Sequence, residues 1–270
     1  FNFQIMKLKP DEIHLWLAFP DEIQDPGLLS AYESLMSDNE KIQHGRFHFA
    51  RHRHQYLITR ALVRTTLSRY ADTDPRQWRF SKNQYGRPEI IAAQGMPRLR
   101  FNLSHTDGLV ICGVVLRQDI GTDTENTERP GSATEIAERF FSPQEVRDLH
   151  QVPEHKRREV FFHYWTLKES YIKARGMGLS LPLDQFTFHI SEQGPLRISF
   201  GPRVSDQPEH WQFWLLKPTS RHCAAISLCR GERPGLYTLK MRHAIPLSKD
   251  YAFFCDTLYS DCKGFRSGSI

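Results

Sequence analysis

The chain has 270 residues, 39% of them hydrophobic, and a formal net charge of +5, enough apolar material for one large core or two modest ones. Its apolar runs are short and broken by charge, which argues against a membrane-spanning helix, since that needs roughly 20 consecutive apolar residues. Five scattered cysteines (Cys112, Cys223, Cys229, Cys255, Cys262) with no Cys-x-x-Cys pair read as reduced thiols of a cytoplasmic protein, and the first residues lack the basic and apolar regions of a signal peptide.

Taken in chain order, "IHLWLAF" at 13–19 is a short β-prone run that stops before the Pro26-Gly27 break. A helical region follows, in which Leu57, Ile58, Ala61, Leu62 and Thr65 recur at helical spacing while Arg53, Arg60 and Arg64 gather on another face. Residues 41–70 hold seven Lys or Arg, four His and no acidic residue. Such a stretch suits an anionic partner or a solvated helix face. "WRFSKNQYGRPEI" reads as strand, turn at Gly86 and strand, and residues 99–116 as two adjacent strands turning at Asp107-Gly108.

A second cycle opens with a strand at "DIGTDTE" (119–125) and continues through a helix after Ser132. Ser142-Pro143 with Glu145 three residues past the serine is a capping-box start for the next helix. A longer helix over about 155–175 ends at Gly176 or Gly178, and "FTFHI", "LRISF", "WQFWLL" and "HCAAISLC" follow as short strands. Each half runs strand, helices, strands, which predicts two similar α+β halves: 1–118, 119–230, and a tail 231–270 without clear period.

Side chains two apart on a strand share a face, so Asp123 and Glu125 can present oxygens to one ion. Trp165, Glu169 and Lys173 form one stripe on a helix. Bringing that stripe beside the strand would cluster three carboxylates and one ammonium, a hard-oxygen set suited to Mg²⁺ and a phosphorylated substrate. Alone, each pattern has an ordinary reading: a strand end, a helix ion pair, a core tryptophan and a structural His105.

Together, "FNLSH" (101–105), "GTDTE" (121–125), "RFFSPQE" (139–145) and "WTLKESYIKARGMGLSLPL" (165–183) occur in the order and near the spacing of one family. The chain resembles the surfactin-type 4′-phosphopantetheinyl transferases from about residue 37 to 229. The resemblance implies a pseudo-twofold α+β fold with the active site, and coenzyme A as cosubstrate, in the cleft between the halves. By position, Asp123, Glu125 and Glu169 match the family's Mg²⁺ carboxylates, and Lys173 matches its lysine at the pyrophosphate. Ser104 and His105 match the pair that contacts coenzyme A, the histidine near the 3′-phosphate. Arg87 stands where the family has the lysine of Gly-Lys-Pro, and Arg51 where variants place a phosphate-binding arginine. In this chain Gly-Ile-Asp-Ile-Glu has become Gly-Thr-Asp-Thr-Glu, and of a lysine pair near position 40 only Lys41 is present.

The implied reaction moves the phosphopantetheine arm of coenzyme A to a serine of an apo acyl or peptidyl carrier protein and releases adenosine 3′,5′-bisphosphate. Glu169 is the expected base and Lys173 the cation at the transferring phosphate. A cytoplasmic monomer with no membrane partner is expected. Two other readings stay open on the residues alone: a basic nucleic-acid-binding protein using residues 41–70, and a Mg²⁺-dependent phosphohydrolase built on the same carboxylates. No helix-turn-helix, zinc-finger or RNP-like pattern supports the first.

Overall fold

The computed structural model describes residues 4–91, 94–191 and 194–261. The chain divides into two units. The first takes residues 1–83, 88–117 and 237–253, and the second residues 84–87, 118–236 and 254–270.

In the first unit, β1 (Glu12–Ala18) leads into helices α1 (Pro26–Leu35), α2 (Asp38–Gly45) and α3 (Ala50–Leu67). The hairpin β2 (Phe80–Lys82) and β3 (Pro88–Ile90) follows, then the antiparallel pair β4 (Leu99–Thr106) and β5 (Leu109–Leu116). β1 lies antiparallel beside β5 and is buried along its whole length. The apolar stripe of α3, Leu57, Ile58, Ala61 and Leu62, closes a core shared with Trp16, Ala18, Val110, Cys112 and Val114. Burying such side chains supplies roughly 1.5–3 kcal/mol each.

In the second unit, β6 (Ile120–Asn126) leads into α4 (Ala133–Phe140), α5 (Pro143–Gln151) and α6 (Glu154–Arg175). The hairpin β7 (Phe186–His189) and β8 (Arg197–Phe200) follows, then β9 (Trp211–Thr219) and β10 (His222–Cys229). β6 pairs antiparallel with β10, as β1 does with β5. Both units thus run strand, three helices, hairpin and two antiparallel strands, which is the arrangement of two similar α+β halves expected from the sequence.

The C-terminal stretch, without a period in the sequence, forms three strands. β11 (Thr238–Ile245) pairs parallel with β1, β12 (Lys249–Ala252) pairs with β11, and β13 (Asp256–Ser260) pairs with β9. The sheet orders are β12-β11-β1-β5-β4 and β13-β9-β10-β6. Cys112, Cys223, Cys229 and Cys255 keep their thiols, and Cys262 lies outside the described residues. Among the described residues no helix is long and apolar enough to cross a membrane.

Candidate active site

The site begins with a close approach. On β6, Gly121, Asp123 and Glu125 share one face, and Glu125 and Asp123 stand opposite Cys223 and Ala225 of the core under α6. A Cβ placed on Gly121 would lie 1.9 Å from the Ser170 carbonyl oxygen and 2.4 Å from the Ala174 nitrogen. Only glycine lets the backbone of α6 rest directly on the strand. The neighbouring Thr122 and Thr124 are buried away from the carboxylates, and Thr124 Oγ1 donates to the Cys223 carbonyl at 3.0 Å. That bond offsets the cost of burying the Thr124 hydroxyl.

With the backbones this close, the expected stripe of α6 meets the expected carboxylates. Trp165 Nε1 donates to Glu125 Oε1 at 3.0 Å, and Lys173 Nζ donates to Asp123 Oδ1 at 2.6 Å. Glu169 lies between these rungs, one helical turn from each. Lys173 therefore pairs with Asp123 across elements. Trp165 packs against the core as the sequence reads it, stacked on Phe161, and its indole N–H also reaches the site. Arg129, three residues past the end of β6, adds an ion pair to Glu125 Oε2 at 3.2 Å; its i,i+4 spacing from Glu125 was the only signal for it.

The electrostatics follow from crowding like charges in a half-buried place. Burial, and then the Asp123 carboxylate, push Glu125 up to about 7 against the pull of Arg129, Trp165 and Lys173. The same two causes raise Glu169, opposed by Lys173. A carboxyl held above its usual range is a competent proton acceptor near neutral pH. As a donor set the three carboxylates fit a hard divalent cation. They lie within electrostatic reach of one another but do not form a closed cage: among the described residues no three of His, Cys, Asp and Glu stand at metal-ligand spacing. An open set of this kind suits Mg²⁺, which completes its shell with waters and substrate phosphates.

The opposite side of α6 is anchored by a buried ion pair. Lys168 Nζ contacts Glu145 Oε2 at 2.8 Å, with neither side chain exposed, and also donates to the Leu183 and Phe186 carbonyls, each at 2.7 Å. Glu145 does double duty: Ser142 and Glu145 form the expected capping box of α5, and its Oε1 accepts from the Phe188 nitrogen at 2.9 Å. Gly176 ends α6 in the left-handed conformation at φ 64°. Arg87 lies against that glycine, donates to the Ala174 carbonyl at 2.8 Å and pairs with Asp119 at 3.2 Å. The expected phosphate ligand is thus held at the C-terminal end of α6.

The remaining expected residues belong to the first unit. Arg51 is exposed in the first turn of α3, while Ser104 is buried and His105 exposed near the end of β4. Gln55, one turn past Arg51, donates to the Thr106 carbonyl. The opening turns of α3 therefore lie against the end of β4 that carries Ser104 and His105. The expected arginine face of α3 needs correction. Arg64 is buried, with Nη2 on Glu40 Oε2 at 2.6 Å and Nη1 on the Pro75 and Trp78 carbonyls at 2.8 and 3.1 Å. Arg60 also pairs with Glu40, at 3.4 Å. An acidic residue outside the basic stretch thus claims two of the arginines that a nucleic-acid surface would need.

The pattern of the 4′-phosphopantetheinyl transferase superfamily matches residues 119–227, and that of the N-terminal part of a 4′-phosphopantetheinyl transferase matches residues 25–115. The 4′-phosphopantetheinyl transferase HetI of Nostoc is 30% identical over 223 residues, covering 83% of this chain and 90% of that protein. The 4′-phosphopantetheinyl transferase Sfp of Bacillus subtilis is 38% identical over 167 residues, covering 62% and 72%. Among solved structures, the Thermotoga maritima holo-[acyl-carrier-protein] synthase aligns with 43% of this chain and 64% of its own at 23% identity, with a TM-score of 0.36. The carboxylates of β6, the α6 stripe above them and these relatives lead to one conclusion: the chain belongs to the 4′-phosphopantetheinyl transferase superfamily and is an enzyme of the surfactin type.

Proposed function

We propose that the protein transfers the 4′-phosphopantetheine arm of coenzyme A to a serine of an apo acyl or peptidyl carrier protein, with Mg²⁺ held by Asp123, Glu125 and Glu169. The observation that carries this reading is the α6 stripe of Trp165, Glu169 and Lys173 seated over Asp123 and Glu125. A bound Mg²⁺ supplies positive charge to the pyrophosphate oxygens. Lys173, fixed by Asp123, adds a cation where negative charge builds as the phosphorus–oxygen bond to the nucleotide breaks. Glu169, its carboxylate made more basic by burial and by Asp123, takes the serine proton as the new serine oxygen–phosphorus bond forms. Adenosine 3′,5′-bisphosphate leaves with the electron pair.

Arg51, Ser104 and His105 of the first unit, with Arg87, are assigned to the coenzyme A phosphates. Charge-assisted contacts of this kind are worth about 1.5–3 kcal/mol each. The protein is proposed to act as a cytoplasmic monomer, and the four described cysteines, scattered and unbridged, support that compartment. The test is the intact mass of apo carrier proteins from fatty-acid, polyketide and nonribosomal-peptide systems after incubation with enzyme, coenzyme A and Mg²⁺. A gain of one phosphopantetheine arm on at least one carrier is expected. No gain on any of them overturns the proposal.

A further inference from the structure

The first turns of α6 and the ends of β9 and β10 line an open cavity of about 280 Å³, wholly within the second unit and assigned no step of the transfer reaction. His163 forms part of its lining and is only 8% exposed. Its ring meets Tyr259 edge-on with centroids 6.2 Å apart, and among the described residues no hydrogen bond reaches its nitrogens. The imidazole can bond to what enters the space it lines. Burial also holds it at about 4, so at neutral pH it is uncharged and offers one N–H donor and one acceptor.

The walls are cationic. Arg158 is fixed by its Nε to the Thr127 carbonyl at 2.7 Å and by Nη1 to the Gly131 carbonyl at 3.1 Å, two bonds in which Nη2 takes no part. Lys217 lies across the cavity, paired with Glu159 at 3.1 Å, and His155 and His222 complete the basic set. One carboxylate faces two permanent cations, so the net charge is positive before any histidine titrates.

We propose that this cavity is a second binding site, one that takes a small phosphate-bearing anion. Arg158, Lys217 and His163 all line it and together offer several donors, matching the several acceptor oxygens of a phosphate better than the two of a carboxylate. The volume lies just below the range of small-molecule sites, about 300 to 1,000 Å³. It therefore suits inorganic phosphate or a compact phosphate monoester rather than coenzyme A. Along α6, Glu159 lies about 15 Å and His163 about 9 Å from Glu169, so the cavity neighbours the transfer site without including its carboxylates.

The test follows the His163 ring signal in ¹H–¹³C spectra of the full chain, assigned by its loss in His163→Gln. Inorganic phosphate and glycerol 3-phosphate are titrated at constant ionic strength. Saturable movement is expected, with the midpoint weakened about tenfold or more in Arg158→Gln and in Lys217→Gln, and tightened in Glu159→Gln, which removes the competing carboxylate. A tighter midpoint for inorganic phosphate marks the free ion as occupant; a tighter one for the ester marks a phosphorylated small molecule. A signal that stays still through about 50 mM of both probes, or that moves alike in wild type and in both cation variants, overturns the proposal.

Discussion

Replacing Gly121 with alanine puts a methyl carbon 1.9 Å from the Ser170 carbonyl oxygen and 2.4 Å from the Ala174 nitrogen. Both obstacles are helix backbone, so no side chain can swing aside. Restoring an ordinary contact of 3.4 Å requires α6 and β6 to separate by about 1.5 Å at that point. Overpacking of this kind costs roughly 1–3 kcal/mol of stability. The catalytic loss should be larger than the stability loss suggests. Ser170 and Ala174 adjoin Glu169 and Lys173, so the separation carries both away from Asp123 and stretches the 2.6 Å Lys173–Asp123 contact. A misplacement of about 1 Å at a reacting centre is worth about 10²-fold in rate. The assay is initial rate of carrier modification at saturating coenzyme A, beside urea unfolding of the same preparation. A Gly121→Ala enzyme that is still folded but slowed about 10²-fold is expected. Near wild-type turnover with unchanged unfolding would refute the close approach as the device that aligns the site.

Three further outcomes are expected. Lys168→Met should destabilise the fold by about 3–5 kcal/mol, by leaving Glu145 buried without its cation and the Leu183 and Phe186 carbonyls without their donor; unchanged stability in urea would contradict this. His163 is held at about 4 against an ordinary 6.5, so above pH 6.5 it is neutral in both states. Below that, the unfolded chain takes up a proton the folded state refuses. Stability in phosphate-free buffer should therefore fall as pH drops from 6.5 toward 4, by up to about 3 kcal/mol from this group, and His163→Gln should flatten the slope. For cofactor grip, His105→Ala should raise the KM for coenzyme A more than it lowers kcat, and should erase most discrimination against the cosubstrate lacking its 3′-phosphate; undiminished discrimination would remove His105 from that phosphate.

What could be read from the residues was whatever depends on local period. Parity along β6 put Asp123 and Glu125 on one face, the four-residue spacing of α6 made a stripe of Trp165, Glu169 and Lys173, and Ser142 with Glu145 announced a helix start. What escaped depends on partners distant in sequence. Arg64 looks like a surface cation until Glu40, 24 residues earlier, is found against it. Lys168 looks like one more helix lysine, because nothing local shows that Glu145 waits for it in the core. Trp165 packs as its apolar ring suggests, but nothing local shows that its indole N–H also reaches Glu125 on β6. Strands β11 to β13 lacked a period because they lie toward the outer parts of their sheets, many of their residues only partly buried, where burial imposes no clean alternation.

The most direct test of the site is Asp123→Asn, which preserves shape while removing the charge that holds Lys173 and that is proposed to join the metal set. Enzyme, coenzyme A, Mg²⁺ and an apo carrier protein are mixed, and the carrier's intact mass is followed over time for wild type and variant, with thermal melting confirming that the variant is folded. Wild type should add one phosphopantetheine arm, lose that activity in chelator and regain it with Mg²⁺, while folded Asp123→Asn should add almost none. A folded variant that modifies the carrier at the wild-type rate would contradict the assignment of Asp123, and with it the carboxylate site on β6.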